Sequence, residues 1–158
     1  MARLDEIDIK MLENLQKNGR MTNVDLSKAV GISPPPCLRR LRYLEENGVI
    51  KGYYAKVDLS VLGAIEVICI VSLNSSNQEI IHDFLKQIKN TINVLDCMAA
   101  LGGKDFILRV VVKDYNEFDS ILTNNIPNIK GVTKIKTYIV IRTHKDTDGV
   151  PLTLFHSG

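Results

Sequence analysis

Three arginines and a tyrosine are the residues of this chain best suited to bind another molecule. Arg39, Arg40, Arg42 and Tyr43 lie within five positions, and segment 37–43 has three positive charges and no negative one. A guanidinium can bind a phosphate, or it can donate two hydrogen bonds to O6 and N7 of guanine. This chemistry is typical of a helix that binds double-stranded DNA.

The residues around the arginines predict two short helices joined by a tight turn. Thr22 with Asp25 three positions later is a capping box that begins the first helix. Gly31 can adopt the left-handed conformation that ends it. Ser33 is a good N-cap for the second helix, and Pro34 suits a first helical position. Two helices joined in this way form a helix-turn-helix, whose second helix enters the DNA major groove.

The second helix has an apolar and a basic face. Leu38, Leu41 and Leu44 follow the helical repeat beside Cys37 and should pack on the preceding helices. Because a proline disfavours helical geometry in the residue before it, we expect regular helix only from Pro36 or Cys37. The predicted DNA-contacting residues are Ser33, Pro34, Pro35, Pro36, Arg39, Arg40, Arg42 and Tyr43.

The charge distribution gives moderate support for DNA binding. Residues 1–52 contain nine Lys and Arg against seven Asp and Glu, whereas residues 53–158 contain eleven of each. The whole formal excess therefore lies in the N-terminal third, as a module with several phosphate contacts needs. A solvated basic face on an ordinary three-helix domain is the alternative that this segment alone leaves open.

The flanking segments complete the N-terminal domain. A stripe of Leu4, Ile7, Met11 and Leu15 predicts a first helix, capped by Asp5. Segment 49–57 is rich in β-branched and aromatic residues, which predicts one strand or two short ones. Such a strand indicates a winged helix-turn-helix, or a linker strand that leads to a second domain.

The rest of the chain predicts a second domain with the element order βαββαβ. The expected strands cover 64–73, 91–101, 105–112 and 132–141, and the expected helices cover 77–89 and 115–126. This order is the split βαβ, ferredoxin-like pattern, a four-stranded antiparallel sheet with both helices on one face. The fold class is therefore α+β. The other face of the sheet has no cover within this chain, so we expect a homodimer that pairs the sheets. Apolar residues available for that face are Ile68, Ile70, Ile107, Ile139 and Ile141.

No residue pattern indicates an enzyme, a metal site or a cofactor. Cys37, Cys69 and Cys97 are widely spaced, as reduced structural cysteines of a cytoplasmic protein are. The three histidines have no ligand spacing with cysteines or acids. No apolar run is long enough to span a membrane, and the N-terminus lacks the apolar core of a signal peptide.

With these elements in order, the chain resembles the Lrp/AsnC, or feast/famine, family of bacterial and archaeal transcription regulators. The pattern Pro34-Pro35-Pro36-Cys37-Leu38 is most similar to the leucine-responsive branch. The segments that carry the resemblance are 4–20, 26–33, 37–53, 102–110, 126–132 and 137–140, which together sample nearly the whole chain.

The resemblance implies a DNA-binding dimer that assembles further, commonly to an octamer. It also implies that the second domain binds a small effector, usually an amino acid, at interfaces between dimers. The implied effector-binding residues lie at the turn of the central hairpin and on the last strand: Ala100, Leu101, Gly102, Gly103, Lys104, Asp105, Thr137, Tyr138, Ile139 and Val140.

The hairpin turn has a chemistry that suits an amino acid. Free backbone N–H groups at a glycine turn can hold a carboxylate, and Asp105 can accept from an ammonium. The alternative is that Gly102 and Gly103 only permit a tight turn. The family pattern is Gly-Asp-x-Asp, and this chain has Gly103 at the first acid, followed by Lys104. This departure should change ligand preference, towards a ligand with an extra negative group, or abolish amino-acid binding.

The expected organisation is therefore a helix-turn-helix domain over 1–52, a linker strand over 53–62, a ferredoxin-like domain over 63–142 and a tail over 143–158. Dimers would present two arginine helices to half-sites about 34 Å apart, or at multiples of that spacing. An effector that favours one assembly state would change how many half-sites are bound together. An architectural DNA-binding protein without an effector is one alternative function. An enzyme or carrier with a ferredoxin-like domain is the other.

Overall fold

The computed structural model describes residues 4–74, 77–100, 105–147 and 149–155. The chain divides into two compact units, one formed by residues 1–56 with 144–158 and the other by residues 57–143. The C-terminal tail therefore belongs to the same unit as the N-terminal helices, although the sequence set it apart as a separate segment.

The first unit contains three helices around a small apolar core: α1 (Glu6–Lys17), α2 (Asn23–Val30) and α3 (Pro34–Glu46). Met11, Leu26, Cys37 and Leu44 are fully buried where the helices meet. Local signals set the helix ends. Gly31 ends α2 with φ at 77°, a left-handed conformation that glycine adopts without a steric penalty.

Only half of the capping box expected at the start of α2 is present. The Thr22 hydroxyl oxygen accepts from the Asp25 backbone N–H at 3.1 Å, as expected. The Asp25 carboxylate, however, accepts from the Thr22 hydroxyl at 2.6 Å. The complete box is found at α1, where Asp5 and Asp8 each accept from the other's backbone N–H.

The expectation that α3 begins at Pro36 or Cys37 is wrong, because α3 begins at Pro34. The first backbone hydrogen bond of the helix runs from the Cys37 N–H to the Ser33 carbonyl, at 3.3 Å. The first helical positions leave their N–H groups without a partner inside the helix, so prolines there lose no helical bond. Ser33 occupies the N-cap position, but its side chain makes no capping hydrogen bond.

The strand expected over 49–57 is also wrong, because none of these residues is in a strand. The backbone N–H groups of Val49 and Ile50 donate to the Leu44 carbonyl, at 2.9 and 3.0 Å, and thereby turn the chain at the end of α3. Residues that favour strands still need a neighbouring strand to pair with, and no described residue of this chain pairs with this segment.

The second unit has the predicted βαββαβ order and a four-stranded antiparallel sheet, in which the second strand of the unit is followed across the sheet by the third, the first and the fourth. A turn of π-helix and a 3-10 turn follow the second helix and lead into the last strand. The elements are β1 (Ile65–Leu73), α4 (Gln78–Lys89), β2 (Val94–Ala99), β3 (Asp105–Val112), α5 (Tyr115–Ser120) and β4 (Val132–Ile139).

Alternation along the strands separates a buried from an open face of the sheet. In β1 the side chains of Val67, Cys69, Val71 and Leu73 are buried, and every second residue between them is only partly buried. Phe84 and Ile88 of α4 belong to the same core, together with Ile121 and Ile126 beyond α5. Both helices therefore cover one face of the sheet, as predicted, and leave the other face open.

The C-terminal tail is held against α1 inside the first unit. The Gln16 side chain accepts from the Val150 N–H at 2.6 Å and donates to the Val150 carbonyl at 3.1 Å. Lys56 pairs with Asp146 at 2.7 Å. Leu152–Phe155 then form a 3-10 turn. The first unit is therefore completed by residues about 130 positions away in sequence.

Candidate DNA-binding helix and effector site

The outer face of α3 presents two of the three arginines to solvent. Arg39 and Arg42 are exposed, with Pro35 and Tyr43 exposed on the same side. At about 100° per residue, positions 35, 39 and 42 follow one stripe of the helix, opposite buried Cys37. Of the remaining predicted contacts, Ser33 and Pro34 are exposed, and Pro36 is partly buried.

The Arg40 side chain points towards the start of α1. Its Nη1 atom donates to Asp5 Oδ2 at 2.7 Å and to Asp8 Oδ1 at 2.9 Å, both at the start of α1. The hydrogen bond to Asp8, and then the one to Asp5, raise the pKa of Arg40. The Asp8 N–H and the Arg40 guanidinium both lower the pKa of Asp5. The expectation that all three arginines face away from the core thus holds for Arg39 and Arg42, but not for Arg40.

Leu38 was expected to pack on the preceding helices, and this expectation is wrong. Its side chain is 38% exposed, next to Arg39 on the surface of α3. Helical geometry explains the position, since residue 38 lies about 100° from Cys37, at the edge of the buried stripe. Helical angles alone could have found this apolar residue on the candidate DNA-binding face.

The beginning of α3 presents an unusual surface because three successive prolines supply no backbone N–H. A phosphate that meets a helix N-terminus usually binds such N–H groups. Here the backbone offers none at the first three helical positions, so this end can contribute shape and apolar contact only. The Asn23 side chain holds it in place by donating to the Pro34 carbonyl at 3.0 Å.

Tyr53 attaches the segment that follows α3 to the helical domain. Its hydroxyl donates to Glu45 Oε1 at 2.9 Å, and its ring lies over Gly19. Partial burial of a side chain that is still 46% exposed, followed by the hydrogen bond and the negative charge of Glu45, raises the pKa of Tyr53 to about 12. The end of α3 is thereby tied to the chain that leads into the second unit, a role the sequence did not reveal.

The predicted effector site is only partly within the described residues. Leu101, Gly102, Gly103 and Lys104 lie outside them. Ala100 and Asp105 flank these four residues. The Ala100 N–H donates to the Asp105 carbonyl at 3.0 Å and so pairs the ends of the two hairpin strands.

The described residues of this predicted site lie on two separate strands of the sheet. Asp105 of β3 lies opposite Ser72 of β1, whereas Tyr138 of β4 lies opposite Ile68 and is 56% exposed. Ser72 and Ile68 are about 13 Å apart along β1, and β3 and β4 flank β1 on opposite sides, about 10 Å apart. The β4 half of the predicted site also contains the neighbours of Tyr138 in the chain, Thr137, Ile139 and Val140.

The open face of the sheet combines apolar side chains with charged ones, among them Lys136 opposite Ile70 and an ion-pair cluster. Arg109 Nε donates to Asp96 Oδ2 at 2.6 Å, and its Nη1 lies 3.4 Å from Glu66 Oε1. Strand pairing brings apolar side chains to the same face: Ile68, Ile70, Met98, Ile107, Val111 and Tyr138. Ile139, also expected there, lies opposite Val67 of the core face, and Ile141 lies beyond β4.

The cysteines form no disulfide, and their thiols have raised pKa values. Burial is the cause in all three, and it raises the pKa of Cys69 to about 11. Within the described ranges, no histidine, cysteine and acidic side chains cluster as metal ligands do. None of the helices described there has both the length and the apolar character needed to span a membrane.

Two family models match the chain, one over the N-terminal helices and one over the second unit together with the beginning of the tail. Residues 4–51 match a winged helix-turn-helix DNA-binding domain. Residues 66–150 match the Lrp/AsnC ligand-binding domain. The chain belongs to the Lrp/AsnC family.

Curated relatives and solved structures agree with this assignment. The chain is 37% identical to a leucine-responsive regulatory protein of Haemophilus influenzae, over 92% of this chain and 88% of the relative. It is 40% identical to the Bkd operon transcriptional regulator of Pseudomonas aeruginosa, over 90% and 94%. A transcriptional regulator of Neisseria meningitidis, solved in complex with L-Met, has a TM-score of 0.88 at 34% identity and covers 98% of this chain and 100% of its own.

Membership in the Lrp/AsnC family decides two of the alternatives that the sequence left open. The basic helix belongs to a DNA-binding domain and is not an ordinary solvated face, and the ferredoxin-like domain belongs to a ligand-binding module. This chain is therefore a DNA-binding transcriptional regulator with a domain for a small effector. Its relatives are regulators, which is a non-enzymatic role.

Proposed function

We propose that this Lrp/AsnC protein reads DNA with the exposed stripe of α3 and adjusts its assembly in response to an amino acid. The observation that carries the first part is the outward placement of Arg39 and Arg42, one helical turn apart and both exposed. Each guanidinium can bind a phosphate or a guanine edge. Pro35 and Leu38 supply apolar surface suited to thymine methyl groups. Ser33, Pro34, Pro36 and Tyr43 border this stripe.

The proposed functional unit is a homodimer formed by the open sheet faces. The apolar side chains on this face, such as Met98 and Tyr138, which are about half exposed, are costly to leave in water, and a second copy of the same face is their simplest cover. A dimer doubles the number of phosphate contacts, which compensates for the small positive charge of a single helix-turn-helix. We further propose assembly to an octamer in the cytoplasm, where such a regulator has access to DNA.

The effector site is proposed to require more than one chain. The backbone positions of Asp105 and Tyr138 are about 16 Å apart within a chain, by the strand geometry given above, and this separation favours a site whose hairpin residues and β4 residues come from different chains. A site between chains can combine the hairpin residues of one copy with the β4 residues of another. The Neisseria relative solved with L-Met supports an amino acid as the ligand, and an effector that joins chains would favour assembly directly.

The DNA-binding residues can be tested with DNA duplexes that the wild-type protein selects from a pool of random sequences. Arg39→Ala and Arg42→Ala should each weaken binding and reduce the slope of log affinity against log salt. The reduction should be about 0.9 for each phosphate that is no longer neutralised, and about twice that when both protomers of a dimer bind. Arg142→Ala, which removes an exposed charge after β4, is the matched control and should leave the slope unchanged. Equal slopes for the wild type and all three variants would contradict the assignment of α3 as the DNA-binding helix.

A thermal-shift screen of the twenty amino acids tests the effector, with sedimentation in the presence of any ligand that raises the melting temperature. A true effector should raise the melting temperature and also change the assembly size. Asp105→Asn should abolish both responses, while Asp83→Asn, an exposed acid on α4, should keep them. If no amino acid shifts either quantity, the architectural function without an effector is favoured.

A further inference from the structure

The contact between Arg40 and the start of α1 joins the candidate reading helix to the first helix of its domain. One guanidinium nitrogen of Arg40 lies between two carboxylates, 2.7 Å from Asp5 and 2.9 Å from Asp8. The two acids are themselves linked, because each accepts from the other's backbone N–H. The capping box of α1 thus also binds a side chain of α3.

The burial of the partners makes this a fixed contact. The Asp8 side chain is only 7% exposed and the Arg40 side chain 31% exposed, whereas Asp5 is half exposed. A nearly buried carboxylate needs a cation or several hydrogen bonds close by, so Asp8 holds Arg40 in this orientation. Few other polar contacts between α1 and α3 are seen among the described residues, and this network is the one that joins them at the α1 N-terminus.

The contact adds to the packing of Cys37 and Leu44 in the core in setting the rotation of α3 about its own axis. Positions 39 and 40 differ by about 100° around a helix, and positions 39 and 42 by about 60° in the opposite sense. When Arg40 is bound to α1, the Arg42 side chain leaves α3 on the opposite side, about 160° away, and the Arg39 side chain leaves it about 100° away. The direction of the two exposed arginines is therefore coupled to the Arg40 contact.

We propose that Arg40 is a positioning residue, which contacts the capping box of α1 instead of DNA and thereby aims Arg39 and Arg42 at their base and phosphate partners. This inference rests on the proposed DNA-binding function of α3. It separates the three arginines that the sequence alone grouped together. Arg39 and Arg42 bind DNA, and Arg40 holds the helix that carries them.

The salt dependence of DNA binding distinguishes a positioning residue from a phosphate contact. On duplexes selected by the wild-type protein, Arg39→Met should reduce the salt slope, as the removal of a phosphate contact does. Arg40→Met should leave the slope unchanged, but should reduce the ratio of specific to non-specific affinity by about tenfold, the effect expected when one bidentate base contact is misplaced. Asp8→Asn, which lies outside the proposed DNA-binding face, should lower the same ratio.

A double variant separates positioning from simple stabilisation. Arg40→Met leaves a buried carboxylate without its cation and should lower the melting temperature, whereas Asp8→Asn combined with Arg40→Met removes both charges and should restore much of it. If Arg40 acted only through stability, the double variant would regain sequence preference as well. We expect the melting temperature to recover and the specificity ratio to remain low.

The outcomes that overturn the inference differ from those that overturn the function. A reduced salt slope in Arg40→Met together with normal specificity in Asp8→Asn would make Arg40 a direct DNA contact. Recovery of specificity in the double variant would make it a purely structural residue. Absence of salt-dependent binding by the wild-type protein would instead refute the DNA-binding role of α3, and the positioning role with it.

Discussion

At the residue scale, the direction of a side chain decides what a charged group can do. Arg39, Arg40 and Arg42 have the same chemistry and lie within four positions, yet only Arg40 is bound to carboxylates of another helix. Composition and charge count all three as equivalent. The contacts of each guanidinium, and not its presence in a basic segment, therefore define the candidate DNA-binding set.

Tyr53 provides a direct test of the structure at this scale. Its pKa is raised from 10.0 to about 12, by burial and by Glu45, so an alkaline absorbance titration should contain a late step in which Tyr53 ionises. Because the pKa of Tyr53 is raised in the folded protein, the stability that Tyr53 contributes to the fold is complete below pH 10 and is lost as the pH rises towards 12. Tyr53→Phe should remove the late step, and Glu45→Gln should move that step to lower pH. A titration with no late step in the wild-type protein would contradict the contact.

At the scale of elements, helix ends are determined by a few residues with specific backbone roles. Three prolines form the first turn of α3 because that turn needs no N–H from them. The rule about the residue before a proline predicted a later start, and it was outweighed by packing of Cys37 and Leu44 in the core. Local preferences thus specify helix ends only where tertiary packing does not oppose them.

The turn between α2 and α3 can be tested by changing its glycine. Gly31 has φ at 77°, so Gly31→Ala should lower stability by about 1 kcal/mol, the penalty for a Cβ in the left-handed region. A Cβ at Gly31 would meet no atom within 4 Å, and the loss would therefore reflect backbone strain alone. Gly19→Ala is the matched control. Its Cβ would make ordinary contact with the Tyr53 ring, at 3.5 Å, and its melting temperature should stay close to that of the wild type.

At the scale of the whole molecule, the open sheet face determines the oligomeric state that we propose. Ile70→Lys places a charge on this face, next to Lys136 across the strands. The variant should sediment as a monomer and remain folded, because Ile70 is not part of the core. Ile92→Lys, at a site that is 92% exposed between α4 and β2, is the control and should assemble as the wild type does. A dimeric Ile70→Lys protein would show that the chains pair by another surface.

Much of the fold follows from sequence patterns that act over a few residues. The alternation in β1 and β3 separates core from open face, and the helical stripes place Met11, Cys37 and Leu44 in one core. The order of elements in the second unit was also predictable, because each strand and helix has its own period. The candidate DNA-binding stripe follows from the same period, with Leu38 added once helical angles are considered.

The tertiary structure alone decided which distant residues meet. Arg40 pairs with residues 32 and 35 positions away, and Gln16 binds the backbone at a separation of 134 positions. The separation of Asp105 from Tyr138 follows from the strand order, which the element sequence does not state. A periodic pattern specifies the face on which a side chain lies, because that depends on local backbone geometry. The partner it finds there depends on how whole elements pack, and so the basic segment that indicated DNA binding became two exposed arginines and one that holds their helix.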